Sequence, residues 1–481
     1  MPKFNYTKAK EHSDSQKPWL AVYVVALVIA LSSVASIANT EAASASESAV
    51  TEHATPAGHK FWYYAMPDAK RTALAIDWAQ EVPLGADTHP AAADVGIEVM
   101  LKGGAGGREA AEIVADYGDL DAGSGLWVRP RGAAGYIVAP DEHLSKAREI
   151  AHEVLTEPAF EQRWFDREHQ IMVESAIEDR SNSWGMAWIL IREVLLGDHP
   201  YNDFWSFNKL DEFKAVTLDD VKTWYESSFS TKTATIAVAG SASVDTVAKE
   251  IDLLFADLSA TAATAPIAVD KPETTGKTIL LHNPDAQKSV VVLIGNFPSH
   301  NPASNTPLQL SVGVLGYGKQ SRLFKSVRSG MGASYGFGAG VFDLTQEYRM
   351  LEMSGEIETV KLQAALDEIE NTYSEFRKTG IGRIEFPIAK RLYKREVIKE
   401  LKRPVNVAFS VNNAVRNGFD ADYVHGAESR IESLDRSSIN SLITDSFPAY
   451  ANLLKIIVSP DEKAVKGACV ITRIEDAKSC L

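Results

Sequence analysis

Beyond residue 58 the chain alternates short apolar runs with longer segments in which apolar residues recur every three or four positions. The first pattern is typical of strands and the second of amphipathic helices. The strand-like runs lie at 72–78, 133–138, 233–238, 278–282 and 290–294. The helical segments cover about 140–156, 161–180, 217–228, 242–256, 358–378 and 383–402. This alternation predicts an α+β body.

The body divides into two similar parts. A stretch rich in Ala, Thr and Pro at 258–276 predicts a linker between halves at 59–257 and 277–481. A Pro-Asp-Ala turn at 67–69 recurs at 284–286, an offset of 217 residues, and each copy lies between two strand-like runs. Such turns are common individually. Together with the linker, the repeat favours duplication of one α+β unit.

The first 40 residues have the composition of an export segment. Four Lys, one Glu and one Asp precede an uncharged stretch at 18–40, in which 19–31 is almost entirely apolar. Small residues follow, as in a secretory signal peptide, although 18–40 is also long enough for an uncleaved anchor. A low-complexity spacer rich in Ala, Ser and Glu is predicted at 41–58. Both alternatives predict an exported body, periplasmic or anchored to the inner membrane and facing the periplasm.

The charge and cysteine content exclude two classes of function. The chain holds 49 Lys+Arg and 64 Asp+Glu, a net charge of -15, and the part from residue 39 onward carries -17. This acidic balance argues against a general nucleic-acid-binding protein. The two cysteines, Cys469 and Cys480, are too few for a cysteine-cluster zinc site. In an exported protein they can form a small disulfide loop or remain two thiols.

A Met-Leu-Lys-Gly sequence at 100–103, preceded by Glu98, carries a family resemblance. It resembles the insulinase/pitrilysin/mitochondrial-processing-peptidase family, the inverted-motif zinc peptidases, whose pattern is H-x-x-E-H followed by M-L-F-K-G. In this resemblance Glu98 matches the general base, and Glu174, 76 residues later, matches the third zinc ligand. The positions of the two histidine ligands hold Val95 and Val99.

The two valines decide what the resemblance implies for catalysis. A catalytic zinc ion usually takes three protein ligands and keeps one position for water. Val95 and Val99 offer no lone pair, so Glu98 has no metal-bound water to activate. We therefore expect no metal and no cofactor in this chain, with Glu98 and Glu174 left as remnants. The chain alone is not expected to be an enzyme.

A second family element lies in the C-terminal half. Ser-Arg-Leu at 321–323 leads to Arg328 and then, after seven residues, to Tyr335. This resembles the family's S-R-L … R-x6-Y element, whose Arg and Tyr contact substrate near the scissile bond. Arg328 offers permanently charged donors to a peptide carbonyl, and Tyr335 offers a phenolic donor to an oxygen that develops charge. The alternative is an exposed Arg and a core Tyr without a functional role.

The resemblance spans about 59–481 and implies two homologous domains, each an antiparallel-rich sheet covered by helices. In some family members a subunit lacking the zinc motif pairs with a homologous catalytic subunit and donates the Arg/Tyr pair. The implied function is the non-catalytic, substrate-binding subunit of an exported heteromeric zinc metallopeptidase that degrades peptides or unfolded proteins. Zinc is then expected in the partner. The alternative is a structural or assembly pseudopeptidase with no role in proteolysis. The acidic body would favour basic peptides.

Overall fold

The computed structural model describes residues 50–79, 89–129, 132–203, 210–260, 269–274, 276–345 and 347–481. The predicted leader at 1–40, half of the predicted spacer and about half of the predicted linker lie outside these ranges. Residues Glu47–Leu481 form one compact unit. Within the described ranges, every helix is too short or too polar to cross a lipid bilayer.

Twelve strands in the described residues form two six-stranded sheets. The first sheet contains β1 (Val50–Ala54), β2 (Lys60–Ala65), β3 (Arg71–Ala79), β4 (Gly123–Arg129), β5 (Gly132–Pro140) and β6 (Ala234–Gly240). The second contains β7 (Thr278–His282), β8 (Ser289–Phe297), β9 (Phe337–Asp343), β10 (Arg349–Ile357), β11 (Leu454–Ser459) and β12 (Cys469–Ile471). Most neighbouring strands are antiparallel; β2–β6, β7–β11 and β7–β12 are parallel.

Helices cover these sheets. Those of the first half are α1 (Ala92–Lys102), α2 (Ala110–Asp119), α3 (Leu144–Thr156), α4 (Gln162–Ser181), α5 (Ser183–Leu196), α6 (Pro200–Asp203), α7 (Leu210–Ala215), α8 (Leu218–Ser228) and α9 (Val244–Phe255). Those of the second half are α10 (Pro302–Gly316), α11 (Leu362–Thr379), α12 (Glu385–Glu400), α13 (Pro404–Arg416), α14 (Ala427–Glu432) and α15 (Arg436–Ser446). The predicted α+β class with two helix-covered sheets is confirmed.

Five strands of each sheet follow the same order, which supports duplication, whereas the edge strands differ: β1 is antiparallel to β2 and β12 is parallel to β7. The strand orders are β1-β2-β6-β3-β5-β4 and β12-β7-β11-β8-β10-β9. The repeated Pro-Asp-Ala turn joins β2 to β3 in the first sheet and β7 to β8 in the second. In each case a later strand lies between the two, β6 in the first sheet and β11 in the second. The turns also match in detail, because the Met66 N–H donates to the final residue of β6 and the Asn283 N–H donates to the final residue of β11.

Each half also covers the sheet of the other. Helix α5, from the first half, buries Leu190, Ile191 and Leu195 in a cluster with residues of the second sheet. Helix α13, from the second half, buries Val407 and Val411 against the first sheet. The limits of the two domains at 59–257 and 277–481 therefore stay a sequence prediction, since the packing units contain residues from both.

Both ends of the described body are attached to the sheets. Strand β1 lies inside the predicted spacer at 41–58, so part of that segment is structured. It pairs along its full length with β2, and His53 stacks on Phe61 with ring centroids 5.5 Å apart. At the other end Cys469 and Cys480 form a disulfide, with Cα atoms 5.8 Å apart. Of the two alternatives for these cysteines, the structure has the bonded one.

Candidate functional site

Helix α1 carries the degenerate zinc motif, and its two valines are core residues. Val95 and Val99 have no exposed surface and belong to the main apolar cluster of the first sheet. They share one side of the helix because they lie four positions apart. The same helix packs closely on α8, since a Cβ atom at Gly96 would lie 2.5 Å from the Trp224 ring. Positions 95 and 99 thus provide apolar packing and do not fit a zinc ion.

Glu98 lies beside these valines and is paired with a lysine. The Lys102 Nζ atom is 2.7 Å from Glu98 Oε2 and 3.0 Å from Oε2 of Glu168, a fully buried residue of α4. Burial lowers the pKa of Lys102, but the hydrogen bonds and charges of the two carboxylates outweigh burial and raise it. A lysine ammonium thus supplies the positive charge between the carboxylates of α1 and α4.

Glu174 does not join this cluster. It is exposed, and its Oε1 atom accepts a hydrogen bond of 2.8 Å from Gln170, one turn earlier. The carboxylate of α4 that faces α1 is Glu168, six residues earlier. The buried positions of α4 are 165, 168, 176 and 179, so Glu174 lies on another face. Helical periodicity was the signal that could have identified Glu168 from the sequence.

His169 follows Glu168 in the chain and is held by contacts with its own helix and with α7. Its ring stacks on Phe165 with centroids 5.3 Å apart, and its Nε2 atom contacts the backbone oxygen of Phe213. Within the described ranges, no three His, Cys, Asp or Glu side chains are grouped so that they could hold a metal ion.

Arg328 and Tyr335 contact one another at the surface of the second half. The Arg328 guanidinium carbon lies 4.1 Å from the centroid of the Tyr335 ring, and the guanidinium donates a hydrogen bond to the Tyr335 backbone oxygen. Tyr335 is 78% exposed. The alternative of a core tyrosine is therefore wrong. The pair presents guanidinium and phenol donors to the outside of the chain, which suits the binding of peptide carbonyls.

The local backbone holds Arg328 in an unusual conformation. Residues Phe324–Gly330 form a π-helical turn. This conformation is rare in proteins, and where it occurs it is often at a functional site. Val327 anchors the turn in the core, and the Gly332 N–H donates to the Arg328 backbone oxygen at 3.0 Å. Gly332 has φ of +57°, which favours glycine. The Lys361 ammonium closes the loop by donating to the Gly332 oxygen at 3.0 Å.

The neighbouring Arg322 has a different role, which the sequence did not indicate. Its Nε and Nη2 atoms donate to the two oxygens of Glu385 at 3.1 and 2.6 Å, and Nη2 also donates to the Gly380 oxygen at 2.7 Å. Burial raises the pKa of Glu385, but hydrogen bonds from Arg322 and Gly382 lower it overall. Arg322 therefore fixes the element to the start of α12, whereas Arg328 contacts Tyr335 and Phe324.

Comparison with known proteins shows which proteins share this fold. Residues 215–393 match the family model described as the peptidase M16 inactive domain. No protein of curated function matches the sequence. The peptidase M16 inactive domain from Pseudomonas fluorescens superimposes with a TM-score of 0.75 and 17% identity, over 86% of this chain and 98% of that one.

Two solved proteases share the same fold. A protease from Helicobacter pylori gives a TM-score of 0.74 and 16% identity, over 86% of this chain and 100% of that one. The periplasmic protease PqqL from Escherichia coli gives 0.65 and 14%, over 89% of this chain and 50% of that one. At these low identities, the structural similarity shows a shared fold only. The match to the family model supports the resemblance that the sequence motifs indicate. Residues 215–393 are thus similar to the peptidase M16 inactive domain, and the chain shares its fold with these solved proteins.

Proposed function

We propose that this chain is the non-catalytic, substrate-binding subunit of an exported heteromeric zinc metallopeptidase that degrades peptides or unfolded proteins. The observation that carries the proposal is the exposed Arg328–Tyr335 pair. Arg328 has no carboxylate partner within the described residues, and it contacts the Tyr335 backbone oxygen and the rings of Tyr335 and Phe324. A surface arginine that is held by a π-helical turn and not neutralised is suited to contact a ligand.

The remaining chemistry is assigned to a partner. Val95 and Val99 are buried and apolar, and Glu98 is paired with Lys102, so this chain's own residues offer no activated water. The match to an inactive domain also supports a chain that is not catalytic alone. We therefore assign the intact H-x-x-E-H motif and the zinc ion to a homologous catalytic subunit. The role left to this chain is to bind and orient the peptide.

Export is part of the proposal. The basic and apolar leader supports it, and so does the disulfide between Cys469 and Cys480, since disulfides persist in oxidising compartments. The fold is shared with a protease described as periplasmic. The site is thus proposed to face the periplasm, with the body either released or anchored to the inner membrane.

The test begins with isolation of the chain from its host and identification of what co-purifies. A homologue with H-x-x-E-H in a stable pair is the expected result. Arg328→Ala and Tyr335→Phe should then each lower the pair's peptide hydrolysis by roughly ten- to a hundredfold without dissociating it, because each removes a donor to the reacting peptide. Lys378→Ala, an exposed basic residue of α11, is the matched control and should leave hydrolysis unchanged.

Two outcomes contradict the proposal. Unchanged turnover in both variants would favour the alternative, a structural or assembly pseudopeptidase with no role in proteolysis. Stoichiometric zinc in the purified single chain would contradict the assignment of the metal to a partner.

A further inference from the structure

Helix α12 presents an unusual surface. It has 16 residues, and none of them is buried. Ile384, at its start, and Ile388, Arg391 and Arg395 follow at spacings of four, three and four, which places them on one side of the helix. Ile384 is 82% exposed and Ile388 is 43% exposed. The exposed residues from 383 to 403 are Arg383, Ile384, Pro387, Ile388, Arg391, Arg395, Lys402 and Arg403, with no carboxylate among them. We call this surface the basic face.

The basic face belongs to a half of the chain whose charge differs from the rest. Residues 59–257 contain 18 Lys+Arg and 34 Asp+Glu, whereas residues 277–481 contain 26 Lys+Arg and 23 Asp+Glu. The net charges are therefore -16 and +3. The acidity of the whole protein is thus concentrated in the first half of the sequence, whereas the half that contains Arg328 is slightly basic.

Most cations of the basic face are not neutralised. Among the described residues, Arg383, Arg391, Lys402 and Arg403 have no ion-pair partner, and Arg395 reaches only its neighbour Glu396, at 3.4 Å. The opposite side of α12 behaves differently. There Lys394 pairs with Glu428 and Glu432, and Lys390 donates to the Glu432 backbone oxygen. The fold therefore satisfies the lysines that pack on α14 and leaves the outer arginines to solvent.

The start of α12 contacts the element that carries the Arg328–Tyr335 pair. Glu385, in the first turn of α12, holds Arg322 through two hydrogen bonds, and Arg322 lies six residues before Arg328. The start of α12 is thus fixed to the element that carries Arg328. A helix of 16 residues is about 24 Å long. An extended peptide of about seven or eight residues spans that length.

We propose that the basic face binds acidic segments of unfolded polypeptides and leads them to the Arg328–Tyr335 pair. This inference rests on the proposed function and adds its substrate class. Carboxylates of the peptide pair with Arg391 and Arg395, and an apolar side chain at one end packs on Ile384 and Ile388. Arginine suits this role because its planar donors match carboxylates. A basic peptide is repelled, contrary to what the net charge of the chain suggests.

The test measures binding by fluorescence anisotropy with the full-length chain in detergent. The probe is a labelled peptide of about eight residues, rich in Glu with Ile at one end, and its counterpart carries Lys in place of every Glu. We expect the acidic peptide to bind at least about tenfold more tightly, and added salt to weaken this binding because exposed charges are screened. Equal affinity for the two peptides would overturn the proposal.

Matched variants locate the binding surface. R391E/R395E should weaken binding of the acidic peptide by roughly tenfold, as expected for two reversed surface charges. K463E/K466E makes the same charge change on an exposed loop of the same half, and it should alter binding by less than about twofold. Equal losses in the two variants would show that only net charge matters, which contradicts the proposal.

Two further outcomes are distinguishable. If R391E/R395E loses co-sedimentation with phosphatidylglycerol vesicles but keeps its affinity for the acidic peptide, the basic face binds lipid and the inference is wrong. If instead Arg328→Ala and Tyr335→Phe leave the pair's hydrolysis unchanged while R391E/R395E loses the peptide, the proposed function fails and the acidic-peptide surface stands.

Discussion

Lys102 pairs with the carboxylates of α1 and α4 beside the core positions Val95 and Val99. Its ammonium lies between Glu98 and the buried Glu168, while Val95 and Val99 fill the core beside them. A carboxylate with no exposed surface is costly to bury unless it is paired. The lysine supplies this pairing, so the carboxylates of α1 and α4 are stabilised without a metal ion.

Restoring the two histidines should therefore not restore the metal site. V95H/V99H places two polar rings in the core, and we expect the free energy of unfolding to fall by about 2–4 kcal/mol. Tight zinc binding should still be absent, because Glu174 lies on another face of α4. Urea unfolding and metal analysis after dialysis measure both effects.

The control for this experiment is Val114→His. Val114 is 64% exposed on α2, so the same substitution there should leave stability unchanged within about 0.5 kcal/mol. One zinc ion per chain in V95H/V99H, with wild-type stability, would show that a ligand set survives.

At this scale the sequence predicted Val95 and Val99 at the ligand positions and the pairing of Arg328 with Tyr335, because both predictions depend on residue types at fixed spacings. It missed Glu168 and Arg322. Their roles depend on which face of a helix is buried and on a contact across 63 residues, from Arg322 to Glu385. Neither property is carried by a local motif.

At the scale of elements, the packed face of α4 includes Asp179, whose pKa is raised. Asp179 is buried at the end of α4, and burial, with a smaller contribution from Glu178, raises its pKa to about 6. The folded state then binds a proton more tightly than the unfolded state. The stability contributed by protonated Asp179 is present below about pH 4 and is lost as the pH rises to about 6.

Asp179→Asn should remove this loss of stability at higher pH, because asparagine does not ionise. We expect the variant to match the wild type near pH 4 and to exceed its free energy of unfolding by about 1–2 kcal/mol at pH 7.5, measured by urea denaturation at both values. Asp166→Asn, on the exposed side of the same helix, is the control. A constant difference between Asp179→Asn and the wild type across this range would contradict the assignment.

The predicted elements were found where the apolar period was clear. The segment expected at 161–180 is α4, and the segment expected at 383–402 is α12. Helix α5 was not predicted because it is apolar on nearly every side and shows no period of three or four. Helix α13 begins at Pro404 and buries Val407, Val411 and Ala414 at spacings of four and three, so its apolar period was present in the sequence and was missed. These two helices are the ones that cross between the halves.

At the scale of the whole molecule, the two halves depend on one another. The repeat at 67–69 and 284–286 predicted two similar units, and the matching strand orders agree with it. The repeat did not predict that α5 and α13 are exchanged between the halves. A repeated sequence indicates that each half has a corresponding helix, but the sheet that the helix covers is decided by the tertiary structure. Phe409 of α13 illustrates the contact, since its ring lies 5.5 Å from Trp127 and 5.7 Å from Tyr136.

This exchange predicts that neither half folds alone. A chain ending at residue 260 lacks α13, so the first sheet exposes Ala73, Ala75 and Ala237, while its own α5 has no sheet to cover. A chain beginning at residue 269 lacks α5 and exposes Ile279, Val292 and Ile456. Exposed apolar surface of this extent is unfavourable at about 25 cal/mol per Å². We expect each half, expressed separately, to bind a hydrophobic dye and to lack a cooperative thermal transition.

Co-expression of the same two pieces provides the control, because it restores the packing of α5 and α13 on the sheets and omits only residues 261–268. The pieces should co-purify as one complex with a cooperative transition, since α5 and α13 bury their apolar faces across the interface. If either piece alone unfolds cooperatively at the temperature of the intact chain, the halves are independent domains. The exchanged helices would then contribute little to stability. If the pieces instead require one another, a ligand that contacts only the second half acts on a single cooperative body.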